Sequence, residues 1–92
     1  MKIEYSKNFI KKLNKYQKTQ KSRYELTLYK ISLFKNNINH PSLKIHKLKG
    51  DKQDFWSFSV EGDLRIIYIY YDSTIIFINI GIMMRYIGKY YT

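Results

Sequence analysis

The sequence predicts an α+β domain in which two amphipathic helices cover one face of a small, curved, mainly antiparallel sheet. Three observations predict it. Apolar residues recur at helical spacing between Lys7 and Asn36. Three short apolar strands follow between Asp54 and Gly81. The turns joining those strands, Glu61-Gly62-Asp63 and Asp72-Ser73, are too short for anything but antiparallel neighbours.

A chain of 92 residues is expected to form one domain, residues 1–92, with no room for a second core. Its hydrophobic fraction of 45% suffices for folding. No apolar run reaches the ~18 residues of a membrane span, and MKIEYSKNF lacks the apolar block of a signal peptide. The absence of cysteine removes disulfides and thiolate chemistry, and leaves two histidines and carboxylates for any zinc site. A cytoplasmic protein is expected. The 17 Lys and Arg against 7 Asp and Glu give a net charge of +10, which points to nucleic acid, an anionic membrane or an acidic protein. AT-rich codon usage is the competing reading for part of the lysine excess, because Ile, Asn and Tyr are abundant too.

Taken in order, Lys2 to Tyr5 alternates apolar and polar residues and reads as an edge strand. Ser6 then suits an N-cap. Phe9, Ile10, Leu13 and Tyr16 mark the apolar side of a helix over Lys7–Thr19, with lysines on the remaining arc. A second helix over Lys21–Asn36 carries Tyr24, Leu28, Ile31 and Phe34 on one stripe, widened by Leu26, Tyr29 and Leu33. Pro41 ends the helical region, with His40 before it as a loop residue. HKLKG, His46 to Gly50, reads as a basic turn. In the first strand of the meander Trp56, Phe58 and Val60 face one way, and Phe55, Ser57, Ser59 and Glu61 the other. The middle strand, Leu64–Tyr71, is apolar on both faces apart from Arg65 and tyrosine hydroxyls. In the third, Ile76, Ile78 and Ile80 share one face, and Ile75, Phe77 and Asn79 the other. Ile82 to Thr92 either extends the last strand or forms a tail.

The run HKLKG…FWSFSVEGDLRIIYIYYDSTIIFINIG, from His46 to Gly81, resembles the central pattern of the RelE/ParE superfamily of bacterial toxins, most closely its RelE- and YafQ-like members. That pattern is a basic HxLKG turn, an aromatic strand, a Gly-Asp turn, an Arg-Ile-Ile-Tyr strand and a strand ending in Ile-Gly. With the helices and opening strand, the likeness covers residues 1–81. It implies a toxin neutralised by an antitoxin with an acidic amphipathic helix, in a hetero-oligomer and away from the membrane. It also implies cleavage of mRNA in the ribosomal A site, with the RNA 2′-hydroxyl as nucleophile and no metal or cofactor. The protein then supplies a base, an acid and cations for the developing charge.

Carried onto this sequence, the resemblance makes His46, Lys49 and Arg65 the expected catalytic residues. Lys47, Lys49, Arg65 and Arg85 are the cations expected on RNA. His46 is either an acid or base, with an ordinary pKa near ~6.5 suited to proton transfer, or a hydrogen-bonding group beside the sheet. Lys47 and Lys49 either contact phosphate or form a solvated turn. Arg65 either clamps the scissile phosphate or pairs with Asp63 or Glu61. Asp63 matches a carboxylate of YafQ-like members but also suits a turn. Trp56 and Phe58 either stack on bases or pack in the core.

After Ile-Gly the family continues Thr/Asn-His-Asp-Glu-Val-Tyr, and its histidine and tyrosine belong to the catalytic surface. Here Met83 and Ile87 stand in those slots, so residues 82–92 form an atypical tail. Encoding Gly81 to Gly88 as GGA ATC ATG ATG AGG TAT ATA GGA and reading from the last base of the first codon gives Asn-His-Asp-Glu-Val-Tyr-Arg. The tail is therefore either the product of a one-nucleotide loss that inactivates this copy, or a divergent natural ending. Two further readings stay open: a ParE-like inhibitor of DNA gyrase, and a non-catalytic basic module that binds RNA or an acidic partner.

Overall fold

A computed structural model describes residues 2–48, 54–84 and 89–91. Strand β1 (Lys2–Tyr5) leads into helices α1 (Lys7–Thr19) and α2 (Lys21–Asn36), both with the predicted bounds. A 3-10 turn (Pro41–Leu43) precedes strands β2 (His46–Lys47), β3 (Trp56–Glu61), β4 (Leu64–Tyr71), β5 (Thr74–Met84) and β6 (Lys89–Tyr91). The sheet runs β1-β5-β4-β3-β2, with β6 paired to β5. Only β1 lies parallel to its neighbour; the other pairings are antiparallel. Among the described residues no helix is long and apolar enough to cross a membrane.

Ser6 fastens the first corner. Its Oγ accepts from Phe9 N at 3.1 Å, capping α1, and donates to Ile78 O at 2.7 Å. The predicted cap therefore also binds the helix start to the central strand β5. Phe9 and Leu13 are the buried residues of α1, whereas Ile10 is 43% exposed and stands off the stripe.

The stripe of α2 is rotated from the predicted one. Thr27, Ile31 and Phe34 are buried, while Leu28 and Tyr29 are exposed. The reason is local. Thr27 Oγ1 donates to Arg23 O at 2.7 Å, so its hydroxyl is satisfied inside the helix and the residue enters the core as its methyl group.

The helix-covered face of the sheet is an aromatic core. Phe34 stacks on Phe58 with centroids 4.5 Å apart, and Phe77 lies within ring contact of Tyr5, Phe9, Phe34, Phe58 and Tyr68. Trp56, Phe58 and Val60 face it as their alternation requires.

The alternation of β5 breaks. Ile67 pairs with Asn79 and Tyr68 with Phe77, so Ile78 is an extra residue in a bulge. Ile75, Phe77 and Ile80 consequently share the core face, contrary to the strict alternation expected. The Asn79 side chain steadies the bulge by accepting from Ile80 N at 2.9 Å. The turns at Gly62 (φ +50°) and Asp72 (φ +54°) adopt the left-handed geometry that hairpins of this length demand.

Candidate functional site on the sheet face away from the helices

Directly opposed residues of an antiparallel pair point to the same side. His46 opposes Ser57, Ser59 opposes Arg65, and Arg65 opposes Gly81. His46, Ser57, Ser59, Arg65, Ile67, Asn79 and Met83 therefore share the face turned away from the helices. The start of the predicted basic turn is in fact strand: His46 and Lys47 pair with β3, and just beyond them Leu48 N donates to Phe55 O at 2.8 Å. Pairing converts a solvated turn into a platform on which His46 is exposed at a fixed register.

Lys47 lies on the other side of that platform. It opposes Trp56, and its Nζ sits 5.7 Å from the Trp56 ring centroid. The structure thus brings His46 and Arg65 to one face and turns Lys47 to the other. Lys49 and Arg85 lie outside the described residues.

Arg65 is 2% exposed. Its Nε donates to Ser57 Oγ at 2.8 Å, and one terminal nitrogen donates to Ser57 O at 3.2 Å and to Lys44 O. Charge-assisted bonds of this kind offset the cost of burying a guanidinium. Lys44 adopts a left-handed backbone, φ +45°, and its carbonyl is drawn toward Arg65. Arg65 thereby ties β4 to β3 and to the segment that carries His46. Of its expected salt-bridge partners, Glu61 pairs with Arg23 at 3.4 Å.

The floor beside these polar groups is apolar. Leu48, Ile67 and Met83 form a second small cluster, with Phe55 packed against it. Met83, in the slot where the family pattern has histidine, is 6% exposed, and its N–H donates to Asp63 O at 2.8 Å. Asp63 itself is an exposed turn residue. Phe58 is fully buried against Phe34, which excludes base stacking there. Trp56 is half-buried, edge-on to Tyr70 at 6.1 Å. His40 is a loop residue, as read: its Nδ1 accepts from Ser42 N at 3.1 Å and caps the 3-10 turn.

Two roles went unread in the sequence. Ser57 serves as the acceptor that seats Arg65, and its place opposite Trp56 and Phe58 in the alternation of β3 was the only signal. Lys12 reaches from α1 to donate to Ile80 O at 3.1 Å, and burial, then Lys15, holds its pKa below the ordinary lysine value. Among the described residues no three His, Cys, Asp or Glu gather closely enough to hold a metal ion. What this face offers is an exposed imidazole at its edge with a buried, hydrogen-bonded guanidinium beneath, a proton-transfer group held beside fixed positive charge.

None of the curated proteins matches the chain. Solved structures do. A YoeB/ParE toxin from Agrobacterium tumefaciens superposes with a TM-score of 0.75 at 21% identity, covering 91% of this chain and 100% of that one, a likeness of fold. A mutant of YafQ from E. coli superposes with a TM-score of 0.73 at 28% identity, covering 94% of this chain and 97% of that one. The E. coli DinJ-YafQ complex contains a chain that matches at 29% identity with a TM-score of 0.70, covering 87% and 90% respectively. The family model described as the bacterial toxin of a type II toxin-antitoxin system, YafQ, matches residues 1–83. With the helices, the bulged sheet and the His46 platform in place, this chain belongs to the YafQ family of type II toxin-antitoxin toxins.

Proposed function

We propose that the chain is a ribosome-dependent mRNA endonuclease held in check by an antitoxin. The observation that carries this reading is the exposed His46 at the edge of the sheet, in register with the buried Ser57 that seats the buried cation Arg65. In this reading His46 takes the proton of the RNA 2′-hydroxyl or delivers one to the leaving 5′-oxygen. Lys49 and Arg85 contact phosphate, and Lys47 meets the RNA from the edge of the sheet. Arg65 contributes charge from beneath and holds the Lys44–Lys47 segment, which sets where His46 stands. The reaction needs no metal, because the nucleophile belongs to the RNA.

Family membership supports the antitoxin. The E. coli YafQ of similar sequence is seen in complex with DinJ, and an acidic partner would complement the +10 charge here. The buried Met83 favours a second reading, a basic module that binds without cutting. Its thioether packs against Ile67 and Leu48, where the family pattern places an imidazole.

The test is mRNA cleavage on programmed ribosomes by this chain and by a version carrying Asn-His-Asp-Glu-Val-Tyr after Gly81. Cleavage by the restored version alone establishes the nuclease and shows that the tail disables this copy. Cleavage by both shows that His46 and the cations suffice. Silence from both overturns the nuclease reading and leaves binding.

A further inference from the structure

A pocket of about 490 Å³ opens on the helix-covered side of the sheet, between the loop after α2 and strands β3 and β4. Ile38, Asn39, His40, Lys44, Trp56, Tyr68 and Tyr70 line it, and among the described residues no carboxylate does. It lies across the sheet from His46, because Trp56 and Tyr68 belong to the opposite face.

Tyr68 is fully buried, yet its hydroxyl has no hydrogen-bond partner among the described residues. A native fold rarely leaves such a group unpaired, since the loss of water is then uncompensated. Burial first, and then neighbouring Tyr70, pushes the phenol above its ordinary value. Tyr70 raises it both as a neighbouring phenol and as a loose hydrogen-bonding neighbour, but no bond of ordinary geometry satisfies the Tyr68 hydroxyl. Tyr68 therefore stays protonated and can donate.

His40 and Lys44 are donors too, while Asn39 brings an amide that both donates and accepts. His40 Nδ1 accepts from Ser42 N, which in the neutral ring leaves the proton on Nε2. Lys44 adds a cation, and Lys30, which donates to Ser42 O at 3.2 Å, stands close enough to be repelled by it. Burial, then Lys44, holds the Lys30 pKa below the ordinary lysine value. An anion in this place would relieve that repulsion. The flat apolar walls, Trp56, Tyr70 and Ile38, suit the aliphatic stem of a side chain that ends in such an anion.

We propose that this pocket seats an acidic side chain of the antitoxin, its carboxylate accepting from the Tyr68 hydroxyl beside Lys44. The occupant is thus a glutamate or aspartate projecting from an otherwise apolar segment, as an amphipathic helix would present it. The proposal rests on the toxin-antitoxin reading but not on cleavage, because the two sites occupy opposite faces of the sheet.

Trp56 is the single tryptophan of the chain, so its fluorescence reports on this pocket. The experiment titrates the full chain with acetylated hexaglutamate and, separately, with hexauridylate, comparing wild type with Tyr68→Phe and Lys44→Gln. Hexaglutamate is expected to shift Trp56 emission saturably. Tyr68→Phe should weaken that binding roughly tenfold, the loss expected for one bond to a charged acceptor. The same variant should keep or raise the melting temperature, because it removes an unpaired hydroxyl. Lys44→Gln should weaken binding as well, and it serves as the second probe should Tyr68→Phe fold poorly. Hexaglutamate affinity unchanged in both variants overturns the proposal. So does a Tyr68-dependent response to hexauridylate alone, which would make the pocket a nucleotide site. A wild-type chain that cleaves mRNA but ignores hexaglutamate overturns the pocket and leaves the nuclease intact.

Discussion

The two faces of the sheet are built on different principles. On the helix-covered face, rings and aliphatic side chains from α1, α2 and four strands interlock, and each large residue is held by several others. On the face turned away from the helices a buried cluster of Leu48, Ile67 and Met83 lies beside a buried arginine, with an exposed histidine at the edge. The first face carries stability through many interchangeable contacts. The second carries position, through a few directed bonds that nothing else can replace. A side chain lost from the first weakens the whole fold, whereas one lost from the second alters where a neighbour stands.

The largest effect should come from emptying the centre of the aromatic core. Phe77→Ala removes a ring that touches Tyr5, Phe9, Phe34, Phe58 and Tyr68. It should destabilise the chain by about 3–5 kcal/mol, measured by urea denaturation. A loss below about 1 kcal/mol would mean that the rings repack around the gap and that this face is less rigid than its contacts imply.

Arg65→Met sharpens the comparison from the other side. It leaves Ser57 Oγ and the Lys44 carbonyl without their donor and should cost about 1–3 kcal/mol. The more telling readout is hydrogen exchange. The Leu48 amide, bonded to Phe55 O, should exchange much faster once the Lys44 carbonyl is released, while amides in the middle of β4 and β5 should follow the global loss alone. Uniform acceleration would show Arg65 to be ordinary core and not the fastening of the His46 platform.

The same division governs how much of the molecule was legible from its sequence. Both helices could be placed closely, because Ser6 caps the first and the asparagines and Pro41 after Phe34 and Lys35 end the second, signals that act through the local backbone. β1 and β3 declared themselves through alternation, β4 and β5 as apolar runs between turn formers, and the turns through Gly62 and the Asp72-Ser73 pair, whereas β2 was read as a turn. Thr27 was missed because its burial depends on a hydroxyl bonded to its own helix, which hydropathy counts as polar. The bulge at Ile78 was hidden among isoleucines, where a slip of one residue changes nothing in composition. At the candidate site the residue types could be read, but not their arrangement. His46 and Lys47 are adjacent in sequence, and their division between two faces follows from a strand pairing only two residues long. The seating of Arg65 on Ser57 and Lys44 joins three separate segments, and no local pattern encodes it.

The smallest effect on stability should accompany the largest on function. His46 is exposed at the edge of the sheet, so His46→Gln, which keeps hydrogen-bonding capacity, should change stability by no more than about 0.5 kcal/mol. If the imidazole transfers a proton, the same change should lower ribosomal mRNA cleavage by roughly 10²–10⁴-fold in whichever tail version cuts. The residual activity should also lose the limb of its pH profile that reports an imidazole. Phosphate contact alone predicts something different: weaker binding, relieved at low salt, with the pH profile unchanged. The His46 edge is then a binding surface, and the proton transfers must be sought among residues other than His46.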